Sequence, residues 1–265
     1  MKLKNSIIIL FLLVIIILCL YYSINKNIER LTSIPIIPLH IYQTWKTKTE
    51  LPDKMYENIN RLKEQNPDFE YHLFDDNDCY NFIIQNFDED VANAYETLIP
   101  GAYKADLWRY CILYINGGIY LDIKYSCVGD FNLIQLTDKE YFVKDIDKSG
   151  GGIYNAFMIC KPRNIILKKT IDKIVDNVKN KFYGYSCFSP TGPLLLHSCF
   201  NEQELENITQ NGIGICENKC PTKTCICVNG EPILSIYNEY YSTDITENKQ
   251  ERYFELWNQR KIYKE

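Results

Sequence analysis

One stretch constrains the fold of this chain more than any other, GAYKADLWRYCILYINGGIYLDIKYS, running from Gly101 to Ser126. Tyr103 to Tyr114 predicts a helix, and it stops at Asn116-Gly117-Gly118, where glycine supplies the left-handed geometry of a helix end. Immediately afterwards Ile119-Tyr120-Leu121-Asp122 reads as a strand that delivers a carboxylate at its C-terminal end. Ligands of open α/β sheets collect at that edge. A chain that turns from helix to strand through two glycines is building an α/β layer, and it places an acid where such layers do chemistry.

The flanking sequence repeats the alternation. Ile36 to Tyr42 predicts a short strand, Pro52 opens a helix through Lys63, and Phe69 to Phe74 predicts a second strand. Asp75-Asp76-Asn77-Asp78 caps a further helix, because Asp and Asn side chains accept bonds from its first free amides. Later, Ile153 to Ile159 reads as a strand, Ile165 to Val178 as a helix and Tyr253 to Tyr263 as a closing aromatic-rich segment, while 200–250 is the least regular region. There is no internal repeat and no low-complexity tract.

The N-terminus is of another kind. Ile7 to Tyr22 reads IIILFLLVIIILCLYY without a charge, between Lys2 and Lys4 on one side and Lys26 and Arg30 on the other. Its 16 residues are at the short end of the ~17–25 that span a bilayer. No A-x-A-like site follows, which favours an uncleaved signal-anchor over a cleaved signal peptide, and a buried core helix is disfavoured because the segment is apolar on every face and lies outside the region that reads as a folded domain. The expected organisation is a tail at 1–6, a transmembrane signal-anchor at 7–22, a stem at 23–34 and one α/β domain at 35–265. The short positive N-terminus points to a type II orientation with the domain in the ER or Golgi lumen. A bias toward Ile, Asn, Lys and Tyr fits an AT-rich genome such as that of a protist or a large DNA virus, which leaves a host or a viral membrane open.

Composition narrows the partners. The net charge is -5 and no Lys/Arg run is present, so nucleic acid bound through its phosphates is excluded as the main ligand. Among the 11 cysteines, Cys79, Cys111 and Cys160 lie in apolar surroundings that suit buried thiols, and Cys19 lies in the anchor. Cys187 and Cys199 precede a cluster, Cys216, Cys220, Cys225 and Cys227, whose spacing lacks the C-x2-C knuckles of structural zinc sites. In an oxidising lumen that cluster would be a disulfide-stapled loop and Asn207-Ile208-Thr209 a glycosylation acceptor.

Asp106 and Arg109 are spaced i, i+3, so they share a helix face and present an acceptor and a fork of donors to a polyhydroxylated ligand. Alone, such a pair is commonly a surface salt bridge. Here it directly precedes the Gly-Gly turn and the acid-ending strand. This arrangement resembles the glycosyltransferases with a sugar-binding region containing a DXD motif, the OCH1-like group called family 32. IPLHIYQTWKTKTELP, EYHLFDDND, KADLWRYCILYINGGIYLDIKYSC, NAFMICKPRN and SPTGPLLL each match a block of that family in order, over about residues 35–197, and YFELWNQRKIY matches its tail.

The resemblance implies a GT-A fold, a single Rossmann-like mixed sheet flanked by helices, and transfer of a hexose, mannose favoured, from a GDP- or UDP-sugar to a hydroxyl of a glycan or glycolipid with retention. It is nearest to the branch that mannosylates inositol phosphorylceramide. It assigns Asp106 and Arg109 to the donor sugar and Asp122 to the first DXD aspartate, a catalytic residue and metal ligand. Gln43 and Trp45 are assigned to the nucleotide, Trp45 as a stacking surface or equally a core residue, and Asn155 and Trp257 to further donor contacts. His197 after Thr191-Gly192-Pro193 is either an acceptor-facing group or an ordinary core residue.

Two departures bear on mechanism. The usual His-Gln after the first strand is Tyr42-Gln43, so His40 inherits no role, and the second DXD aspartate is Lys124. The family's carboxylates help hold Mn²⁺ or Mg²⁺ against the donor diphosphate. Either Lys124 takes over part of that charge neutralisation, or Asp122 and another acid such as Asp130 still hold a metal, or donor chemistry is lost and a silent carbohydrate-binding protein remains. A glycosidase would need two carboxylates flanking the bond, and none can be placed.

Overall fold

A computed structural model describes residues 14–21, 35–146, 151–220, 222, 224–241 and 252–265. The chain divides into two units, Met1–Pro35 and Ile36–Glu265. In the first, residues 14–21 are helical with exposed side chains. The rest of the expected anchor, the tail at 1–6 and the stem at 23–34 lie outside the described residues. Among those described, no helix is long and apolar enough to cross a membrane.

The second unit alternates strand and helix as far as Asn86, and two further helices and then four strands follow up to Cys160. In chain order it runs β1 (His40–Thr44), α1 (Asp53–Gln65), β2 (Glu70–Phe74), α2 (Asp76–Asn86), α3 (Glu89–Thr97), α4 (Gly101–Asn116), β3 (Gly118–Leu121), β4 (Tyr125–Cys127), β5 (Tyr141–Lys144), β6 (Ile153–Cys160) and α5 (Ile165–Lys179). It closes with α6 (Pro193–His197), α7 (Glu202–Gln210), β7 (Ile213–Glu217), β8 (Thr224–Val228), β9 (Glu231–Ile236) and α8 (Tyr253–Asn258). The strands form one mixed sheet in the order β2-β1-β3-β6-β5-β7-β8-β9-β4. β1 is parallel to both β2 and β3, β6 is antiparallel to β3 and β5, and β7–β9 form an antiparallel meander that ends on β4.

Local chemistry explains several of these elements. Asp75 caps α2 with a reciprocal box, its side chain accepting from the Asp78 amide while the Asp78 carboxylate accepts from the Asp75 amide. Helix α4 is apolar almost all round, with Leu107, Trp108, Cys111, Ile112 and Leu113 fully buried, which is the pattern of a central helix. It ends at Gly117 (φ 65°), where a Cβ would stand 2.7 Å from the Pro162 ring. Gly118 (φ 99°) follows, with room for a Cβ only 2.8 Å from the His40 carbonyl oxygen. Both glycines are required by conformation and by space. Helix α5 is amphipathic and buries Ile166, Leu167, Ile171, Ile174 and Val175 in the same core as α4.

The region read as least regular holds real structure. Helix α7 and the meander β7–β9 occupy it, with Asn229 and Gly230 both at positive φ in the β8–β9 turn. Asn-Gly between two alternating runs is a hairpin signal that the sequence carries. The disulfide Cys216–Cys227 staples β7 to β8, and Cys220–Cys225 ties the connection between them to β8. Cys79, Cys111 and Cys160 are free and buried. The first strand begins at His40 rather than Ile36, because Ile36 and Ile37 donate their amides to the Thr137 carbonyl outside the β1 ladder.

Candidate functional site

The topology gathers four chemistry-bearing segments. Asp122 follows the carboxyl end of β3, and its amide donates to the Ala156 carbonyl of β6 at 2.8 Å. Beside it lies a cleft of about 180 Å³ lined by residues that include Asp106, Arg109, Asp122, Lys124, Tyr154 and Asn155. That is below the ~300–1,000 Å³ of drug-sized ligand pockets, so the cleft can enclose only part of a ligand of that size.

Within the cleft the charges are linked. Asp122 Oδ1 accepts from the Tyr120 hydroxyl at 2.8 Å and lies 3.4 Å from Arg109 Nη1, while Oδ2 accepts from Lys124 Nζ at 2.8 Å. Arg109 also donates to the Asn155 carbonyl at 2.9 Å, lies 3.4 Å from Asp106 Oδ1, and stacks over the Tyr120 ring at 4.5 Å. Asp106 accepts from Asn155 Nδ2 at 2.8 Å on one oxygen and from the Thr191 hydroxyl at 2.7 Å on the other. The Lys124 ammonium stands over the rings of Tyr125 and Tyr154, whose hydroxyls are 2.7 Å apart.

The two carboxyls are driven in opposite directions. Burial pushes Asp106 up, and Arg109, Thr191 and Asn155 offset this only in part. Burial opposes ionisation of Asp122 as well, but Lys124 and Arg109 together hold it below the usual carboxylate range. Lys124 is held well above the ordinary lysine range: burial works against its charge, and Asp122 overcomes it. Asp122 and Lys124 therefore face the cleft as a closed ion pair, with Arg109 behind them.

The sequence-derived candidates separate into groups. Asp106, Arg109, Asp122, Lys124 and Asn155 meet at the cleft. Gln43 is fully buried beside it, its amide nitrogen 3.3 Å from the carbonyls of Leu121 and Asp122 and its oxygen accepting from Tyr71 at 2.8 Å, so it fixes the backbone that carries Asp122. Trp45 packs against the cluster of Met55, Ile59, Ile123 and Tyr237, with its indole N–H buried and without an acceptor among the described residues. Trp257 donates to the Tyr183 carbonyl at 2.8 Å and does not line the cleft; Tyr253, one turn earlier on α8, does. His197 is exposed at the end of α6, and Asp130 is exposed in the turn after β4. Neither is among the cleft-lining residues.

Sequence reasoning missed Tyr120, Tyr154, Tyr253 and Thr191. Only Thr191 carried a signal, the Thr-Gly-Pro turn, whose chain reversal is explained equally well without a ligand.

Residues 52–143 match the family model described as glycosyltransferase sugar-binding region containing DXD motif. Inositol phosphoceramide mannosyltransferase 2 of Schizosaccharomyces pombe is 32% identical over 162 residues, 60% of this chain and 45% of that protein. The initiation-specific alpha-1,6-mannosyltransferase of Candida albicans is 34% identical over 91 residues, 32% of this chain and 24% of that protein. The chain thus spans less than half the length of these relatives. The structure titled PaToxG Glycosyltransferase superposes with a TM-score of 0.51 at 16% identity, over 66% of this chain and 74% of that one, a likeness of fold. The matched segment holds Asp106, Arg109, Asp122 and Lys124 in one piece, and over it the chain is similar to the glycosyltransferases whose sugar-binding region contains a DXD motif.

Proposed function

We propose that this chain is a hexosyltransferase of GT-A type that moves a sugar, mannose favoured, from a GDP- or UDP-hexose to a hydroxyl of a glycan or glycolipid with retention. The observation that carries the reading is the linked array Asp106–Arg109–Asp122–Lys124 at the carboxyl edge of β3. Asp106 and Arg109 present an acceptor and donors suited to sugar hydroxyls. Trp45, which packs against Met55 and Ile59 and does not line the cleft, is kept for the nucleotide by the family resemblance alone. In the transfer, the bond from the anomeric carbon to the diphosphate oxygen breaks, the acceptor oxygen bonds to that carbon, and the acceptor proton leaves with the diphosphate.

The family's Mn²⁺ or Mg²⁺ fits this donor set poorly. Every oxygen of Asp106 and Asp122 already accepts a bond within the protein, and the DXD position that would add a ligand carries an ammonium. In this reading Lys124 stabilises the departing diphosphate and no step passes through a metal. The same closed Asp122–Lys124 ion pair favours a second reading, a carbohydrate-binding protein of this fold without turnover.

Incubating the full chain in detergent with a panel of nucleotide sugars, with and without EDTA, tests both. Nucleotide release that survives EDTA supports the lysine, and release abolished by EDTA rejects it. Donor binding without release would leave the binding protein.

The membrane setting belongs to the same proposal: a type II protein anchored through residues 7–22, its domain in the ER or Golgi lumen of a host or in a viral membrane. The two disulfides and the exposed Asn207 of the sequon on α7 support an oxidising, glycosylating compartment.

A further inference from the structure

At the amino-terminal ends of β1 and β2, three side chains that the proposed transfer does not use converge. Asp122 lies after the opposite end of β3, which runs parallel to β1. His40 is in register with Glu70, and Tyr42 with His72, so His40, Glu70 and His72 stand on one face of the parallel pair. His40 Nδ1 is 3.1 Å from His72 Nε2. The Glu70 carboxylate reaches both rings, Oε2 at 3.5 Å from His40 Nδ1 and Oε1 at 3.6 Å from His72 Nε2.

These spacings are those of a ligand set. Zinc at about 2.0–2.1 Å from each donor in tetrahedral geometry sets its ligand atoms about 3.3 Å apart; the two imidazole nitrogens, 3.1 Å apart, lie near that value, and each ring has its own Glu70 oxygen at 3.5 or 3.6 Å. Without an ion, one N–H at most can lie on the line between two neutral imidazoles, and these ring nitrogens then have no proton left for the Glu70 carboxylate, which can only accept. A cation at the centre is met by one nitrogen of each ring and by the carboxylate. The Tyr42 ring stacks on His72 at 5.0 Å and fixes that ring's plane. Side-chain exposures of 35% for His40, 27% for His72 and 68% for Glu70 leave an open approach from solvent.

We propose that His40, Glu70 and His72 form a Zn²⁺ site, with its fourth position open to water, that ties the edge strand β2 to β1. Two imidazoles and one carboxylate suit zinc and its borderline neighbours and discriminate against Mg²⁺ and Mn²⁺, which prefer oxygen. The site is therefore chemically as well as spatially separate from the sugar cleft.

The test uses the full chain in detergent, stripped with chelator, desalted and titrated with Zn²⁺ against a chromophoric competitor. One equivalent binds, the melting temperature rises with Zn²⁺, and His40→Ala and His72→Ala each weaken binding by about tenfold or more. His72→Gln keeps size and polarity and gives the same loss with an unchanged circular dichroism spectrum. Co²⁺ in place of Zn²⁺ gives a visible spectrum without thiolate-to-metal charge transfer, which separates this site from the cysteine cluster. Absence of Zn²⁺ binding, binding unchanged in the His variants, or a thiolate band would each overturn the assignment, and none of these readouts depends on glycosyl transfer.

Discussion

Lys124 returns across a tight turn to within 2.8 Å of the Asp122 carboxylate, two residues before it in the chain. Removing its charge by Lys124→Met takes away the cation placed for a leaving diphosphate, and the turnover rate should fall about 10²–10³-fold, read as nucleotide release, with Lys124→Arg falling less. Asp122→Asn tests the other half of the pair through pH. Because its carboxyl is held below the ordinary range, it stabilises the fold fully above the unfolded value of about 3.9, and that contribution is lost as pH falls below it toward the folded value. Urea melts should show a stability gap between wild type and Asp122→Asn that is constant from about pH 7 to about pH 5 and narrows by about pH 3. A gap that widens on acidification would contradict the sign.

At the scale of elements, the helix-to-strand joint after α4 holds the site. Gly117→Ala puts a Cβ 2.7 Å from the Pro162 ring at a φ of 65°, and chemical denaturation should register a loss of about 1–3 kcal/mol. Gly101→Ala at the other end of the same helix meets nothing within 4 Å and should be neutral or stabilising by up to about 1 kcal/mol. The two glycines differ both in backbone conformation and in what surrounds them. Asp75→Ala removes the box that starts α2 and should cost about 1 kcal/mol in the same assay. These elements were legible in the chain because their signals are short-range: an Asp box, a Gly-Gly stop, an acid closing an apolar strand. The β8–β9 hairpin was equally legible in Asn229-Gly230, and it is hidden only by the polar, cysteine-rich sequence before it.

Across the whole molecule the stapled meander and the sugar cleft are coupled. β9 pairs with β4, and the Tyr237 amide that follows β9 donates to the Lys124 carbonyl at 3.0 Å. Reducing Cys216–Cys227 and Cys220–Cys225 should therefore lower stability by about 2–3 kcal/mol in urea melts and weaken donor binding in step. Donor affinity unchanged after complete reduction would show the two ends of the sheet to be independent. The sequence by itself determined the α/β alternation, the position of Asp106 and Arg109 on one helix face and the delivery of Asp122 at a strand end, since periodicity and capping are set by neighbours within a few residues. Only the tertiary structure decided that Thr191 would bind Asp106 across 85 residues, that α8 would offer Tyr253 rather than Trp257 to the cleft, and that His40 and His72 would meet 32 residues apart. Such meetings follow from strand order and register, and a single chain's local pattern records which face of an element is apolar without recording which element it will face.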